Sequence, residues 1–183
     1  MNNNLPKHIV YSPTVVDFIT VAAEMCLFLE NVEKFSKAEF IDKLTKLLPM
    51  LYLKASLITA PDTVFDEPSE KFVSEADYNF IFQQSEQLLG SDNAYLEVFH
   101  SDMERSDTPV LAYISENLAD IYQEIKDFAC NYQTLDTDIM NDSLACCITA
   151  FCEHWGQKLI NALRALHYLR YSDSFTEILN NNV

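Results

Sequence analysis

The side chains best suited to chemistry form a polar stripe on one predicted helix near the end of the chain. Residues 139–170 carry apolar side chains at gaps of three and four, which is the helical period. A second stripe with the same spacing offers hydrogen-bond donors, acceptors and a fixed cation along about four turns. We predict that this stripe binds a ligand or a partner; its members are His154, Gln157, Asn161, Arg164 and Tyr168.

The expected counterpart of this stripe is a narrow polar strip on the first predicted helix, which is apolar around most of its circumference. Asp17 and Glu24 belong to the strip, and we include both in the predicted binding site. A structural alternative is that Arg164 pairs with Asp17 or Glu24 as a bridge, because buried charges have to be paired. The spacing leaves both interpretations open, and we favour the structural bridge.

A row of acidic residues lies opposite the apolar face of another predicted helix. One interpretation is a divalent-metal face in a hydrolase of a phosphorylated small molecule or nucleotide. Magnesium would then need a second acidic pair from a neighbouring helix, and Glu30 with Glu33 is the candidate. We favour the alternative, the solvated outer face that an amphipathic helix requires. The row consists of Glu116, Asp120, Glu124 and Asp127.

Two further patterns resemble metal sites but are incomplete. Glu97 and His100 have the spacing of ligands in carboxylate-bridged di-iron bundles, which use that spacing twice, and the chain has no second copy. Cys146 and Cys147 would project about 100° apart on a helix and cannot converge. Two glycines could hardly build a phosphate-binding loop. We therefore predict no catalytic residues, no metal ligands and no cofactor.

The composition narrows the classes of partner. Twenty-eight acidic residues against 12 lysines and arginines give a formal charge of −16. The resulting field repels phosphate backbones and anionic membranes, so we expect no nucleic-acid and no membrane partner. Five cysteines without a CxxC pair indicate reduced, buried thiols, and residues 1–7 have no apolar signal segment. We expect a cytoplasmic protein.

The elements that position these residues are predicted to be helices. The chain has only two glycines and six prolines among 183 residues, and 49% of its residues are hydrophobic. Helix starts are predicted at Ser12-Pro13, at Ser36 with Glu39, and at Ser74. Pro49 predicts a kink or a restart. Residues 59–74 are predicted to form the longest loop.

The two segments before the C-terminal helices are predicted to differ in structure. Residues 95–99 fit either a helical turn or a short extended piece, and we expect residues 91–106 to be irregular or weakly helical. Asp107-Thr108-Pro109 is predicted to start a long helix, with Leu111 as its first apolar position, that ends near Tyr132. A short connector then predicts an antiparallel hairpin. We predict an all-α fold: a single-domain bundle of five to six helices over residues 1–183, with an ordered core over about 11–171 and a long antiparallel C-terminal helix pair.

Five sequence segments support a family resemblance. They are LPMLYLK at 48–54, YLEVF at 95–99, SENLADIY at 115–122, MND at 140–142 and WGQKLINALRALH at 155–167. Together they resemble an uncharacterised bacterial family catalogued as domain of unknown function 5063, over about residues 11–171. The resemblance implies a helical domain in a bacterial cytoplasm and supplies no activity, cofactor or catalytic residue.

From these observations we predict a small acidic cytoplasmic helical protein. Its predicted function is that of a non-enzymatic protein-interaction or accessory module. A protein partner is one expectation, and a homodimer through one of the long helices is the other. The predicted apolar helix faces exceed what a minimal bundle needs, which favours an interaction surface. The alternative function is the metal-dependent hydrolase. No small-molecule ligand is predictable.

Overall fold

The structure is a computed structural model that describes residues 8–97 and 110–172. It is built from six α-helices, a π-helical turn that joins the last two of them, and a two-stranded antiparallel sheet. This confirms the all-α prediction. The helices are α1 (Pro13–Leu29), α2 (Lys37–Ser56), α3 (Glu75–Leu89), α4 (Ile114–Tyr132), α5 (Thr137–Ala150) and α6 (Gly156–Arg170); the π turn is Phe151–Trp155, and the strands are β1 (Ala94–Leu96) and β2 (Leu111–Tyr113).

The predicted helix starts are confirmed by their caps. Ser12 Oγ accepts a hydrogen bond from the Val15 N–H, with Pro13 in the first turn. Ser36 and Glu39 bond reciprocally in a capping box. Ser74 forms the same arrangement with an aspartate three residues later. Each cap satisfies N–H groups that have no partner inside the helix.

Of the two outcomes predicted for α2 at Pro49, a kink or a restart, the restart does not occur. The helix runs without interruption from Lys37 to Ser56 with Pro49 inside it, so it does not restart there. The proline lies on an exposed side of the helix. Tertiary packing of the buried residues on the opposite face holds the helix together across the missing backbone bond.

The start of α4 was predicted too early. Leu111 is not the first apolar position of the helix but lies in strand β2, with 54% of its surface exposed. The strand pairs with β1, so the extended alternative for the start of the 95–99 segment is the one that the structure adopts. Residues 98–109, including Asp107-Thr108-Pro109, lie outside the described residues.

Helix α4 is the central element of the packing. It contacts α1, α3, α5 and α6, while α2 packs against both α1 and α6. The rings of Phe18 and Phe128 stack in the core at 5.3 Å between centroids. α4 folds back on the rod formed by α5, the π turn and α6, which confirms the antiparallel C-terminal pair. The apolar stripe of this rod is buried as predicted from Leu144 to Leu166.

The cysteines are less uniformly buried than predicted. Cys26 and Cys147 are buried, and burial raises the pKa of Cys26 to about 12. Cys146 and Cys152 are exposed. Within the described ranges, no helix combines the length and the apolar character needed to cross a membrane.

Candidate functional site

The predicted polar stripe lies on the exposed side of the π turn and α6. Gln157 Nε2 donates to Asn161 Oδ1 at 2.9 Å, and Asn161 Nδ2 donates to Glu97 Oε1 at 2.7 Å. Arg164 is exposed and makes no hydrogen bond or ion pair with any residue that the structure describes, and Tyr168 is 75% exposed. The stripe is therefore a solvent-facing row with one internal hydrogen bond and a link to the residue that follows β1. His154, its first member, is also exposed and lies 4.0 Å from Glu153.

The structure does not bring Asp17 and Glu24 to this stripe. Asp17 Oδ2 accepts a hydrogen bond from Lys54 Nζ of α2 at 2.7 Å. Glu24 is exposed and lines a cleft between α1 and α2. The bridge from Arg164 to either carboxylate does not form: Arg164 and Glu24 are both exposed, and Asp17 pairs with Lys54 instead.

The acidic row of α4 is only partly the solvated face that we favoured. Glu116 is exposed, but Asp120 accepts hydrogen bonds from Tyr78 Oη at 2.9 Å and from Lys158. Asp127 is 5% exposed, and its Oδ1 accepts the backbone N–H groups of residues 72 and 73. Several members of the row thus bind other parts of the chain.

The long loop is fastened to the C-terminal hairpin by four polar side chains. Asp127 of α4 accepts two backbone N–H groups, and Asp142 of α5 accepts the N–H groups of Val64 at 2.7 Å and Phe65 at 2.8 Å. Asn131 and Asn141 donate to the carbonyls of residues 70 and 62. We name residues 57–74 the strap, because an extended segment is held at four points. These aspartates and asparagines were not predicted to hold a loop.

Burial and hydrogen bonding act in opposite directions on Asp142. Burial raises the pKa of its carboxyl, and the two backbone N–H donors and the Asn141 amide lower it by more. The net pKa is below the ordinary value, so the charged form is the one that the strap requires.

Between the strap and the hairpin lies an acidic cleft of about 610 Å³. Its lining holds four carboxylates and no lysine or arginine, so it repels anions such as phosphorylated molecules. One of the four, Asp142, is already engaged by the strap backbone. The carboxylates are those of Asp66, Glu67, Glu70 and Asp142.

The outer surface of α1 and α2, which we name the α1–α2 face, has a different character. Large apolar side chains are exposed there at helical spacing on both helices, or directly after α2 in the case of Leu57. They are Val16 (44% exposed), Leu27 (58%), Met50 (48%), Leu53 (55%) and Leu57 (61%). Periodicity alone could have suggested this surface, since both helices carry more apolar residues than one buried stripe needs.

A second cleft, of about 520 Å³, lies between α1 and α2 on this face. Its apolar wall includes Leu27, Phe28, Phe35 and Leu47. Its charged residues are three lysines, Lys34, Lys43 and Lys46, and one carboxylate, Glu24; the neutral amide of Asn31 also lines it. The Lys43 ammonium lies 4.0 Å from the centroid of the Phe35 ring, a cation–π contact that holds it at the cleft.

The residues proposed for a metal site are engaged elsewhere. Glu30 Oε1 accepts hydrogen bonds from Tyr122 Oη at 2.9 Å and Lys126 Nζ at 2.7 Å. Lys71 lies 3.3 Å from Asp127 and 3.8 Å from Glu124. Over residues 8–97 and 110–172, no group of three or more potential metal ligands converges. His100, the partner of Glu97 in the di-iron spacing, lies outside the described residues.

Comparisons with known proteins give a family and a solved relative. The chain is similar to protein BF1032 from Bacteroides fragilis, whose crystal structure superposes with a TM-score of 0.81. The two are 41% identical over 90% of this chain and 97% of that chain. A search of curated proteins gave no significant match. The family model for domain of unknown function 5063 matches residues 9–172, and the chain belongs to that family.

Proposed function

We propose that this protein is a non-enzymatic interaction module that binds another protein chain through the α1–α2 face. The observation that carries the proposal is the row of five large apolar side chains exposed on two neighbouring helices. Single exposed apolar residues are ordinary, but a contiguous apolar surface on a folded domain is typical of an interaction site. None of the five is needed to fill the core of the bundle, since the core residues of both helices face the other way.

The way the acidic residues are used favours a binding module over a metal-dependent hydrolase. Such a hydrolase needs carboxylate oxygens free to hold magnesium and to position a phosphate. Here Asp120, Asp127 and Glu30 accept hydrogen bonds from this chain's own side chains and backbone. The acidic cleft beside the strap would also repel a phosphorylated substrate.

The charges at the α1–α2 face define the chemistry of the partner. Lys34, Lys43 and Lys46 surround the cleft at one end of the face, against one carboxylate, Glu24. A helix that buries the exposed leucines would bring its own charged residues close to these lysines. We therefore propose that the partner presents an apolar helix that carries acidic residues.

Site-specific photo-cross-linking tests the proposal. A benzophenone amino acid at position 53 of the full chain, in cells of the organism of origin, should give discrete protein adducts because Leu53 lies within the apolar row. The same group at Leu135, which is 77% exposed on the turn between α4 and α5, is the matched control. We expect adducts from position 53 alone, and we expect Leu57→Asp in the same chain to abolish them. Equal labelling from both positions, or labelling that survives Leu57→Asp, would contradict the proposal.

A further inference from the structure

We propose that the chain seated on the α1–α2 face is a second copy of this protein, so that the two α1–α2 pairs pack together as a four-helix interface. This inference rests on the proposed function, because it names the partner for the same face. It goes further in requiring that the face be complementary to itself. The charges and the exposed side chains of the two helices satisfy that requirement.

The two helices carry opposite charges on their outer sides. Helix α1 contains no lysine or arginine, and its exposed charged residues are Asp17 and Glu24. The outer stripe of α2 contains Lys43 and Lys46 among apolar residues; Lys46 also pairs with Asp42 of the same helix at 2.6 Å, whereas Lys43 lies within 4 Å of no carboxylate that the structure describes. When α1 of one copy lies over α2 of the other, acidic residues meet basic ones. A two-fold axis makes each such pair occur twice.

The basic residues available for this contact are uncommon in the molecule. Of the ten lysines and arginines at positions 8–97 and 110–172, seven lie within 4 Å of a carboxylate of the same chain. The three that do not are Lys34, Lys43 and Arg164. Two of these three line the cleft on the α1–α2 face. Most cations of the described residues are thus paired with carboxylates of the same chain, whereas Lys34 and Lys43 face an open surface.

Glu24 is an acidic residue without an ion-pair partner on the same face. It lines the same cleft as Lys43 and Lys46, yet it makes no ion pair with either lysine or with any other residue that the structure describes. Within one copy, an unpaired acid and an unpaired base therefore share one face. In a symmetric pair, Glu24 of each copy reaches the lysines of the other, and both charges acquire a partner. Long-range repulsion between two chains of charge −16 would oppose contact through most other surfaces.

The dimensions of the face agree with a specific contact. At 1.5 Å per residue, α1 and α2 are about 25 and 30 Å long, and packed helices lie about 10 Å apart. The face is therefore about 20 Å wide and 25 Å long, and its side-chain relief adds to this area. Specific interfaces bury about 800 Å² on each partner, which is the same order. Two antiparallel helix pairs packed face to face form a four-helix bundle.

The test combines native mass spectrometry with sedimentation equilibrium on the full chain. We expect the wild type to be a dimer at micromolar concentration. Glu24→Lys alone and Lys43→Glu alone should each weaken the dimer by about tenfold or more, because like charges then meet twice across the axis. Mixing the two variants, one of them labelled with ¹⁵N, should restore association as a heterodimer. Neither variant regains a matched pair within its own chain, so recovery reports a contact between copies.

The controls separate this inference from the proposed function. Leu135→Asp changes an exposed residue away from the face and should leave the dimer unchanged, and circular dichroism should show that every variant is folded. A monomeric wild type, single variants that dimerise like the wild type, or a mixture without heterodimer would overturn the second copy as partner. If position 53 still cross-links to a different protein in cells, the interaction module stands while this inference fails. A dimer that survives while position 53 gives no adduct contradicts both, because the copies then meet through another surface.

Discussion

At the scale of single residues, the chain uses carboxylates to hold its own backbone. Asp127 and Asp142 each accept two consecutive N–H groups of the strap, at distances of 2.7–2.9 Å. Both aspartates are 5% exposed and lie on helices of the C-terminal hairpin. Hydrogen bonds to a charged acceptor contribute more than neutral ones, and leaving these amides unpaired would carry a desolvation cost. The strap is therefore held by side chains of the hairpin where it has no regular secondary structure.

Replacing Asp142 should release the strap at its first half. In Asp142→Asn, the amide can accept one N–H but presents a donor to the other, so we expect a loss of about 1–3 kcal/mol in the free energy of unfolding. The amides of Val64 and Phe65 should lose protection in hydrogen exchange. Asp138→Asn, at an exposed position in the first turn of the same helix, is the control and should change stability by a few tenths of a kcal/mol. Unchanged protection at Val64 and Phe65 would refute the clamp.

Asp142 should also make the free energy of unfolding depend on pH, and the direction of that dependence follows from its pKa. The pKa of Asp142 is lowered in the folded chain, because its hydrogen bonds outweigh the effect of burial. Its stabilising contribution is thus present above the unfolded pKa of about 3.9 and is lost as the pH falls through the folded pKa. Urea titrations of the wild type and Asp142→Asn should differ most near neutral pH and converge below about pH 4. A constant difference across this range would contradict the shift.

Arg164 offers a residue-scale test of the predicted stripe. The side chain is exposed and pairs with no residue in the described ranges, so Arg164→Ala should change the free energy of unfolding by no more than about 0.5 kcal/mol. If the stripe is a second binding surface, the variant should lose binding at unchanged stability. Arg170→Ala is the comparison, because Arg170 is ion-paired with Asp42 and is mostly buried. A large loss of stability in Arg164→Ala would restore the structural-bridge interpretation.

The site could be predicted from the sequence only in part. Spacing predicted that the stripe residues share one rod, and Gln157, Asn161, Arg164 and Tyr168 lie on α6 with His154 in the preceding π turn, because this depends on local geometry alone. Their exposure to solvent was not predicted. Which carboxylates meet which partners depends on the packing of distant helices, so the pairing of Asp17 with Lys54 was not foreseen. The clamping role of Asp127 left no local signal, because the amides that it binds lie 55 and 54 residues earlier in the chain.

At the scale of elements, the π turn is the feature that local periodicity could not show. The rod from Thr137 to Arg170 has apolar residues at gaps of three and four throughout, which fits an unbroken α-helix equally well. In the structure the Gly156 N–H donates to the Phe151 carbonyl, five residues earlier. A bulge of this kind shifts the phase of the helix. It accompanies the inward position of Trp155, whose indole N–H donates to the Cys147 carbonyl at 3.0 Å.

Gly156 is the residue that the π turn requires, although its backbone is helical. A Cβ at this position would lie 2.5 Å from the Phe151 carbonyl oxygen and 2.9 Å from the Phe151 ring. Replacing glycine by alanine in a helix ordinarily stabilises a protein by about 1 kcal/mol. Here we expect Gly156→Ala to destabilise it by about 1–3 kcal/mol, because the carbonyl cannot move without breaking the turn.

The measurement for Gly156→Ala is urea-induced unfolding followed by circular dichroism. Thr149→Ala, at an exposed position of α5, provides the ordinary case and should be neutral or slightly stabilising. An increase in the stability of Gly156→Ala would show that the contact with Phe151 relaxes without cost.

The starts of the other helices show which features local sequence signals can predict and which they cannot. Ser12, Ser36 and Ser74 cap the helices predicted for them, because a cap needs only neighbouring residues. The start of α4 was placed too early, because Leu111 continues the helical spacing of the residues that follow. Strand β2 forms through pairing with β1, more than a dozen residues earlier, and such pairing leaves no trace in the local period.

At the scale of the whole molecule, opposite charges are segregated to different surfaces. The charged residues that line the cleft beside the strap are all carboxylates, whereas those that line the cleft on the α1–α2 face are three lysines and one glutamate. In a chain of net charge −16, a basic and apolar surface is the exception. Such an arrangement disfavours contact through most of the surface and directs an acidic partner to one face.

If two copies share the α1–α2 face, folding and association are linked. The midpoint of thermal unfolding should then rise with protein concentration, because unfolding separates the copies. A hundredfold rise in concentration favours the dimer by about 1.4 kcal/mol per chain, which corresponds to about 3–5 °C for a domain of this size. Leu53→Asp combined with Leu57→Asp should remove the dependence while leaving a folded monomer, since both side chains are more than half exposed. Differential scanning calorimetry at two concentrations measures this, and a midpoint independent of concentration in the wild type would mean that the copies do not associate in the folded state.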